Sequence, residues 1–188
     1  MNLIFETKRM LVRELQIADF DEMFALCSDA DVMKYVGNLQ PYTAPQTRQV
    51  ILKCLRSYGI HGFGGWAVHL KELASSPEGD PFIGYAGYEF VPERSIPELF
   101  YIFSPGHWGK GLASEFAIAA VDYAFNKLHL KQIGASFDPA NEASMKVARK
   151  AGFTFSHQST DEHNLPTIYY KLSNKSRDRR LPSCTDES

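Results

Sequence analysis

The sequence predicts an α/β domain, a sheet carrying helices, and three observations point to it. Leu99-Phe100-Tyr101-Ile102-Phe103 is an uncharged aromatic and β-branched run, the pattern of a buried strand. Across a glycine turn from it, Leu112, Phe116, Ala119, Ala120 and Tyr123 recur at helical spacing. Two helix-start signals, Asp19 with Glu22 and Thr43 with Gln46, stand between other strand-like runs.

In chain order, Met10-Leu11-Val12 reads as the first strand, and the Asp19/Glu22 capping box starts a helix through Phe24 and Leu26. Thr43 and Gln46, with Pro45 in the first turn, start a second helix that carries Val50, Ile51, Cys54 and Leu55 on one face. Trp66, Val68 and Leu70 alternate with smaller or polar residues, which predicts a half-buried strand. The polar run Ala74 to Pro81 reads as a loop before a strand from Phe82 to Phe90, and Ser95-Ile96-Pro97 as a loop before Leu99. Beyond the long helix, Gln132 to Phe137 is a strand and Asn141 caps a short helix. Arg149 and Lys150 complement the dipole of that helix, and Gly152 ends it as a C′ glycine, with Phe153 following. Phe153 to His157 and Thr167 to Leu172 are the last strands. Residues 1–173 are expected to form one domain. Residues 174–188, charged, polar and without apolar periodicity, are expected to be a mobile tail.

The join at Ser104 to Glu115 carries the chemistry. A glycine turn that delivers a helix N-terminus beside a strand end presents free backbone N–H groups and the positive end of a dipole, an anion site suited to phosphate or pyrophosphate. Gly109 and Gly111 let the backbone approach such a ligand without a Cβ in the way. An ordinary turn entering a core helix has the same pattern. Two nucleotide motifs do not fit. Gly106 is too close for a Walker A loop and Leu112 stands where its hydroxyl residue belongs. The order Gly106-x-x-Gly109-x-Gly111 reverses the dinucleotide fingerprint, and Gly62-Phe63-Gly64 lacks a third glycine.

The turn resembles the pyrophosphate loop of the GNAT superfamily, the acetyl-CoA-dependent N-acetyltransferases, whose pattern is Gln/Arg-x-x-Gly-x-Gly/Ala. Trp108-Gly109-Lys110-Gly111-Leu112-Ala113 matches its glycine and its final small residue, with Trp at the Gln/Arg position. That departure looks like the branch of the ribosomal-protein N-alanine acetyltransferases. Two further blocks support the resemblance, which runs from about Phe5 to Leu172. They are Asp138-Pro139-Ala140-Asn141-Glu142-Ala143-Ser144, continuing to Phe153, and Thr7-Lys8-Arg9-Met10-Leu11-Val12-Arg13 followed by Asp19. The resemblance implies a mixed, mostly antiparallel twisted sheet of about seven strands, splayed between the fourth and fifth, with helices on both faces. It implies acetyl-CoA as donor, its pantetheine arm paired with the backbone of Ile102 and Phe103 and its pyrophosphate on Gly109, Lys110, Gly111, Ala113 and Ser114. The side-chain amide of Asn141 would reach the same arm.

Acetyl transfer needs a neutral amine, a stabilised oxyanion and a leaving thiolate. The resemblance makes Glu98, at the start of its strand, the candidate base. Many family members place an acidic tyrosine on the helix after the fifth strand. Here Met145, Val147 and Ala148 occupy that helix, and Ser144 is the hydroxyl left to support the thiolate. A solvated glutamate and a serine bonded to helix backbone are the plainer structural readings of both residues.

Composition narrows the classes. A chain of 188 residues, 44% hydrophobic, suffices for one sizeable core, and a net charge of −2 gives no reason to expect nucleic acid or a membrane as partner. Cys27, Cys54 and Cys184 are odd in number and lack metal spacing, so they read as reduced thiols, two of them in the core. None lies on the strand expected to carry the thioester, which favours direct attack over an acetyl-enzyme. The six histidines form no ligand pair at i, i+4, and no Gly-x-Ser-x-Gly elbow is present, so neither a metal nor a Ser-His-Asp hydrolase is expected. His107, beside the turn, could assist an anion. No basic-then-apolar start or spanning apolar run occurs, so a cytoplasmic protein is expected, as monomer or homodimer. Three functions fit the sequence: an N-acetyltransferase acting on a protein N-terminus or small amine, a non-catalytic acyl-CoA sensor, and a nucleotide-binding regulator.

Overall fold

A computed structural model describes residues 2–71, 82–161 and 163–174. Among them eight strands form one sheet: β1 (Leu3–Glu6), β2 (Met10–Glu14), β3 (Gly65–Leu70), β4 (Phe82–Val91), β5 (Ile96–Phe103), β6 (Gln132–Phe137), β7 (Thr154–Thr160) and β8 (Pro166–Ser173). Their spatial order is β1-β2-β3-β4-β5-β6-β8-β7, and every neighbouring pair is antiparallel except β5 and β6. The strand beyond the expected seven is β1. Its four residues are too few to show a period, yet the Phe5 ring packs against Trp66 and Tyr123 at centroid distances of 5.7 and 5.6 Å.

Helices cover both faces, as the family resemblance implies. On one face α1 (Phe20–Cys27), α2 (Ala30–Met33) and α3 (Ala44–His61) bury Met23, Met33, Ile51 and Cys54 against Leu15, Ala67 and Tyr85. On the other, α4 (Leu112–Asn126) and α5 (Glu142–Lys150) bury Phe116, Ala120, Ala124 and Ala148 against Trp66, Val68, Tyr88 and Ile133. Small residues on α4 allow close approach, and Tyr88 in β4 donates its hydroxyl to the Ala120 carbonyl at 3.0 Å. The Thr43/Gln46 box forms, with Thr43 N–H donating to Gln46 Oε1 at 2.8 Å. Phe153 N–H closes α5 on the Ala148 carbonyl at 3.1 Å, beyond Gly152 at φ 98°.

Three local expectations are corrected. β3 is buried on both faces because it lies between β2 and β4 with helices on either side, so Ala67 and His69 are as enclosed as Trp66 and Val68. Ile96 and Pro97 belong to β5, paired with Val91 and Phe90, because a one-turn helix at Pro92–Arg94 and Ser95 at φ 55° complete the reversal before them. Asp19 does not cap α1. Its carboxylate takes both outer nitrogens of Arg13, at 2.8 and 2.6 Å, and the Gln16 N–H at 2.7 Å. The Ala74–Pro81 loop, Cys184 and the tail beyond Asn174 lie outside the described residues.

The Arg13–Asp19 pair is buried and ties β2 to the entry of α1. Burial by itself raises the Asp19 pKa, but the hydrogen bonds from Arg13 and Gln16 and the Arg13 charge outweigh it and hold the carboxyl below its ordinary value. This pair therefore stabilises the fold fully above the unfolded aspartate pKa of about 3.9, and that contribution is lost as pH falls through the lower folded value. Asp19→Asn, which leaves a buried guanidinium without its counter-charge, is expected to cost about 3–5 kcal/mol in urea denaturation at pH 7. The cost should shrink in acid, where the wild type has lost the same charge.

Candidate active site

The sheet divides at β5 and β6. These parallel strands share one register pair, Glu98 with Gly134, and diverge toward their C-terminal ends. The peptide groups along the resulting wedge follow from the β4–β5 ladder. Ser104 donates its N–H to the Ile83 carbonyl at 2.9 Å, and Gly84 stands opposite Phe103. Antiparallel pairs alternate, so Glu98, Phe100 and Ile102 turn their peptide groups to β4, and Leu99, Tyr101 and Phe103 turn theirs toward β6. The peptide groups of Ile102, expected at the wedge, are thus directed to β4. Tyr101 and Phe103, on either side of it, face the wedge.

Two side chains border this edge. Trp108, half exposed, donates its indole N–H to the Phe103 carbonyl at 2.6 Å, tying the following turn to the strand end. Tyr101 crosses the wedge on the α4 face, its ring 6.4 Å from that of Phe137, and its hydroxyl donates to the Ser144 carbonyl at 2.7 Å. Burial raises the Tyr101 pKa far above its ordinary value, so the phenol stays protonated as a donor. Neither contact was legible in the sequence: Tyr101 and Ser144 belong to segments that meet only when the sheet forms, and the nearer Trp108 contact depends on how the chain folds back just after the strand.

Beyond β5 a single turn of 3₁₀ helix, Pro105–His107, leads to the glycine turn. Gly109 and Gly111 have φ of 73° and 76°, left-handed values that L side chains rarely adopt, and Gly111 is the N-cap of α4. Lys110 is exposed, and Ala113 and Ser114 are half-buried in the first turn of α4, where backbone N–H groups have no helical acceptor. Arg9 is the unforeseen member. It donates Nε and its own N–H to the two Glu115 carboxylate oxygens, at 2.7 and 2.9 Å, and Nη1 to the Lys110 carbonyl at 2.9 Å. Partial burial alone raises the Glu115 pKa. The hydrogen bonds from Thr7 and Arg9 and the Arg9 charge outweigh it and keep the carboxyl below its usual range. His107 shares a 2.7 Å hydrogen bond with Ser104, and partial burial and the Lys110 charge push its pKa down, so it is neutral at pH 7 and brings no positive charge to the turn.

Glu98 lies at the apex of the wedge, on the face opposite α4. It is buried rather than solvated, and Gly134 makes room for it: a Cβ there would meet Glu98 Cγ at 3.2 Å. Its Oε2 pairs with Arg94 and accepts from Ser136 Oγ at 2.8 Å, while Oε1 lies over Gly134 outside both contacts. Arg94 itself stacks on the Tyr169 ring, 4.7 Å from its centroid. Burial raises the Glu98 pKa against the opposing pull of Arg94 and Ser136. Asn141 caps α5 through Oδ1, which accepts the Ser144 N–H at 3.2 Å and leaves its Nδ2 donor for another partner. Glu98 and Ser144 therefore flank the wedge from opposite faces.

On the Glu98 side, a cleft of about 400 Å³ is lined by Asn38, Tyr42, Pro45, Gln46, Gln49, Val50 and His163. His163 belongs to the β7–β8 turn and the others to α3 and the segment before it, so the cleft spans the two arms that the wedge separates. Among the described residues no group of His, Cys, Asp and Glu is arranged to hold a metal, and no helix is long and apolar enough to cross a membrane.

Comparison with known proteins agrees with this geometry. Residues 9–154 match the Acetyltransferase (GNAT) domain family. The uncharacterised N-acetyltransferase p20 of Bacillus licheniformis is 29% identical over 149 residues, covering 78% of this chain and 80% of that protein. The crystal structure of an acetyltransferase from Agrobacterium tumefaciens superposes with a TM-score of 0.77 at 26% identity, covering 93% of this chain and 95% of the other. A spermidine N-acetyltransferase from Vibrio cholerae, solved with CoA and spermine, shares the fold at a TM-score of 0.69 and 20% identity, covering 89% and 96%. The split sheet, the glycine turn at its mouth and these relatives place the chain in the GNAT family as an N-acetyltransferase.

Proposed function

We propose that this enzyme moves an acetyl group from acetyl-CoA to a primary amine by direct attack, and that its acceptor is a protein N-terminus, as in the ribosomal-protein N-alanine branch. The observation that carries the donor half is the open edge of β5, where Tyr101 and Phe103 face the wedge and lead within a few residues to the left-handed glycines and the N-terminus of α4. An extended amide-bearing arm ending in a pyrophosphate fits that sequence of groups. For the acceptor, the cleft offers the amides of Asn38 and Gln49 and, among the described residues, no carboxylate in its lining, which suits peptide groups better than a polycation.

Bound acetyl-CoA supplies an activated thioester. The Tyr101 and Phe103 N–H groups along the wedge are the donors available to a carbonyl oxygen that gains charge. Glu98 Oε1 takes the proton of the attacking amine, directly or through water, while Arg94 and Ser136 fix the other oxygen. The Ser144 hydroxyl, on the opposite face, donates to the departing sulfur. Asn141 Nδ2 holds the arm of the donor. A cysteine relay is disfavoured: Cys27 and Cys54 are buried in the α1–α3 layer, and burial together with its neighbour Cys54 pushes the Cys27 thiol up to about 11.

Four variants and an acceptor panel test this. Gly111→Val, forced into a left-handed φ, is expected to lose acetyl-CoA affinity by calorimetry with the fold intact by circular dichroism; wild-type affinity would remove the turn from the site. Glu98→Gln is expected to lower turnover at least about 100-fold with an ammonium substrate. Wild-type rate should rise with pH as the raised Glu98 pKa is passed, and the deficit of the variant should narrow at high pH; a constant deficit assigns Glu98 to packing. Ser144→Ala should reduce kcat with donor affinity retained, and Asn141→Ala should raise the donor Kd with a stability loss of about 1 kcal/mol from the lost cap. The same assay run with peptides, spermine and aminoglycosides decides the acceptor class, peptides being expected to turn over fastest.

A further inference from the structure

The anion turn carries an electrostatic contradiction. Helix α4 begins at Leu112 with no side-chain cap, and its first turn holds Glu115, whose half-buried carboxylate lies within one turn of the N–H groups that would meet a phosphate. A negative charge there favours the helix and repels an anionic ligand. The Lys110 carbonyl, between the two left-handed glycines, is a second source of negative potential beside the same groups.

Arg9 engages both. Its Nε and backbone N–H take the two oxygens of Glu115, and Nη1 takes the Lys110 carbonyl. Its remaining nitrogen, Nη2, lies 3.7 Å from the point where a Gly111 Cβ would project, so the guanidinium packs directly on the turn. Arg9 comes from the connection between β1 and β2, more than a hundred residues away in sequence.

We infer that Arg9 is a positioning residue for the donor: it cancels the charge of Glu115 and draws the Lys110 carbonyl back, so that the N-terminus of α4 is left as a net positive site for a pyrophosphate. This rests on reading the glycine turn as the place where acetyl-CoA binds. The guanidinium fork is suited to the task because it bonds a carboxylate and a carbonyl at once.

The test is a double-mutant cycle on acetyl-CoA affinity, measured by calorimetry at low and high salt. Arg9→Gln is expected to raise the Kd about tenfold at low ionic strength, with the loss narrowing as salt increases. Glu115→Gln is expected to tighten binding, and the double variant to recover most of what Arg9→Gln loses. Arg9→Lys, which keeps the charge without the fork, should lose less than Arg9→Gln. A brace without an electrostatic role gives the opposite pattern. Glu115→Gln would then weaken binding as much as Arg9→Gln, the double variant would be no better, and salt would not matter; that result overturns the inference. If Arg9→Gln fails to fold in a thermal melt, the direction of the Glu115→Gln effect decides alone. Gly111→Val separates the two levels. If it binds acetyl-CoA like the wild type, the turn is not the site and both readings fall. If it loses binding while the Arg9–Glu115 pattern is absent, only the role of Arg9 falls.

Discussion

One missing ladder organises this molecule. β5 and β6 run parallel and meet at a single register pair, so the sheet is two arms joined at Glu98 and Gly134. A parallel pair needs a crossover, and the crossover here is the glycine turn and α4. The turn therefore lies at the mouth of the wedge by construction, since the chain leaves β5 there and must travel through α4 to reach β6. Glu98 occupies the apex because Gly134 leaves space for its side chain, and Tyr101 bridges the gap on the far side. The place of Glu98, the open peptide edge and the glycine turn are consequences of one topological choice.

The periphery holds that arrangement in place with charge. Arg13 and Asp19 fix the β2 end of the larger arm to the first helix from within the core, and Arg9, four residues earlier, binds the start of α4 from the β1–β2 turn. The N-terminal hairpin thus supports both helical layers. Arg94 does the same at the apex, holding Glu98 and resting on Tyr169 of the smaller arm. Each of these arginines uses the geometry of its fork to join separate segments.

Much of the fold was legible because its signals are local. The Thr43/Gln46 box, the glycine turn that opens α4 and the Gly152 stop depend on a few adjacent residues, and the structure keeps all of them. Asp19 looked like a cap for the same reason, and was not one because Arg13, six residues away along the chain and adjacent in the fold, binds its carboxylate more strongly. The position of Ile102 shows a different limit. Which peptide groups face the wedge is a matter of register, and a shift of one residue reverses it; nothing in Leu99–Phe103 marks the parity. Arg9 was visible as part of a motif, while its partner Glu115 lay 106 positions away, a pairing that only the closed sheet brings together.

The wedge also bears on how this enzyme can diverge. Its open edge is made of peptide groups from Tyr101 and Phe103, whose orientation is set by the ladder to β4 and does not depend on which side chains the strand carries. Any β-forming residue that packs against the adjacent helices preserves that edge. The cleft across Asn38, Gln49 and His163 is the reverse case, a surface whose shape and polarity follow the residues that line it from two loops and α3. Substitution can therefore remake the cleft while the backbone-defined edge stays fixed.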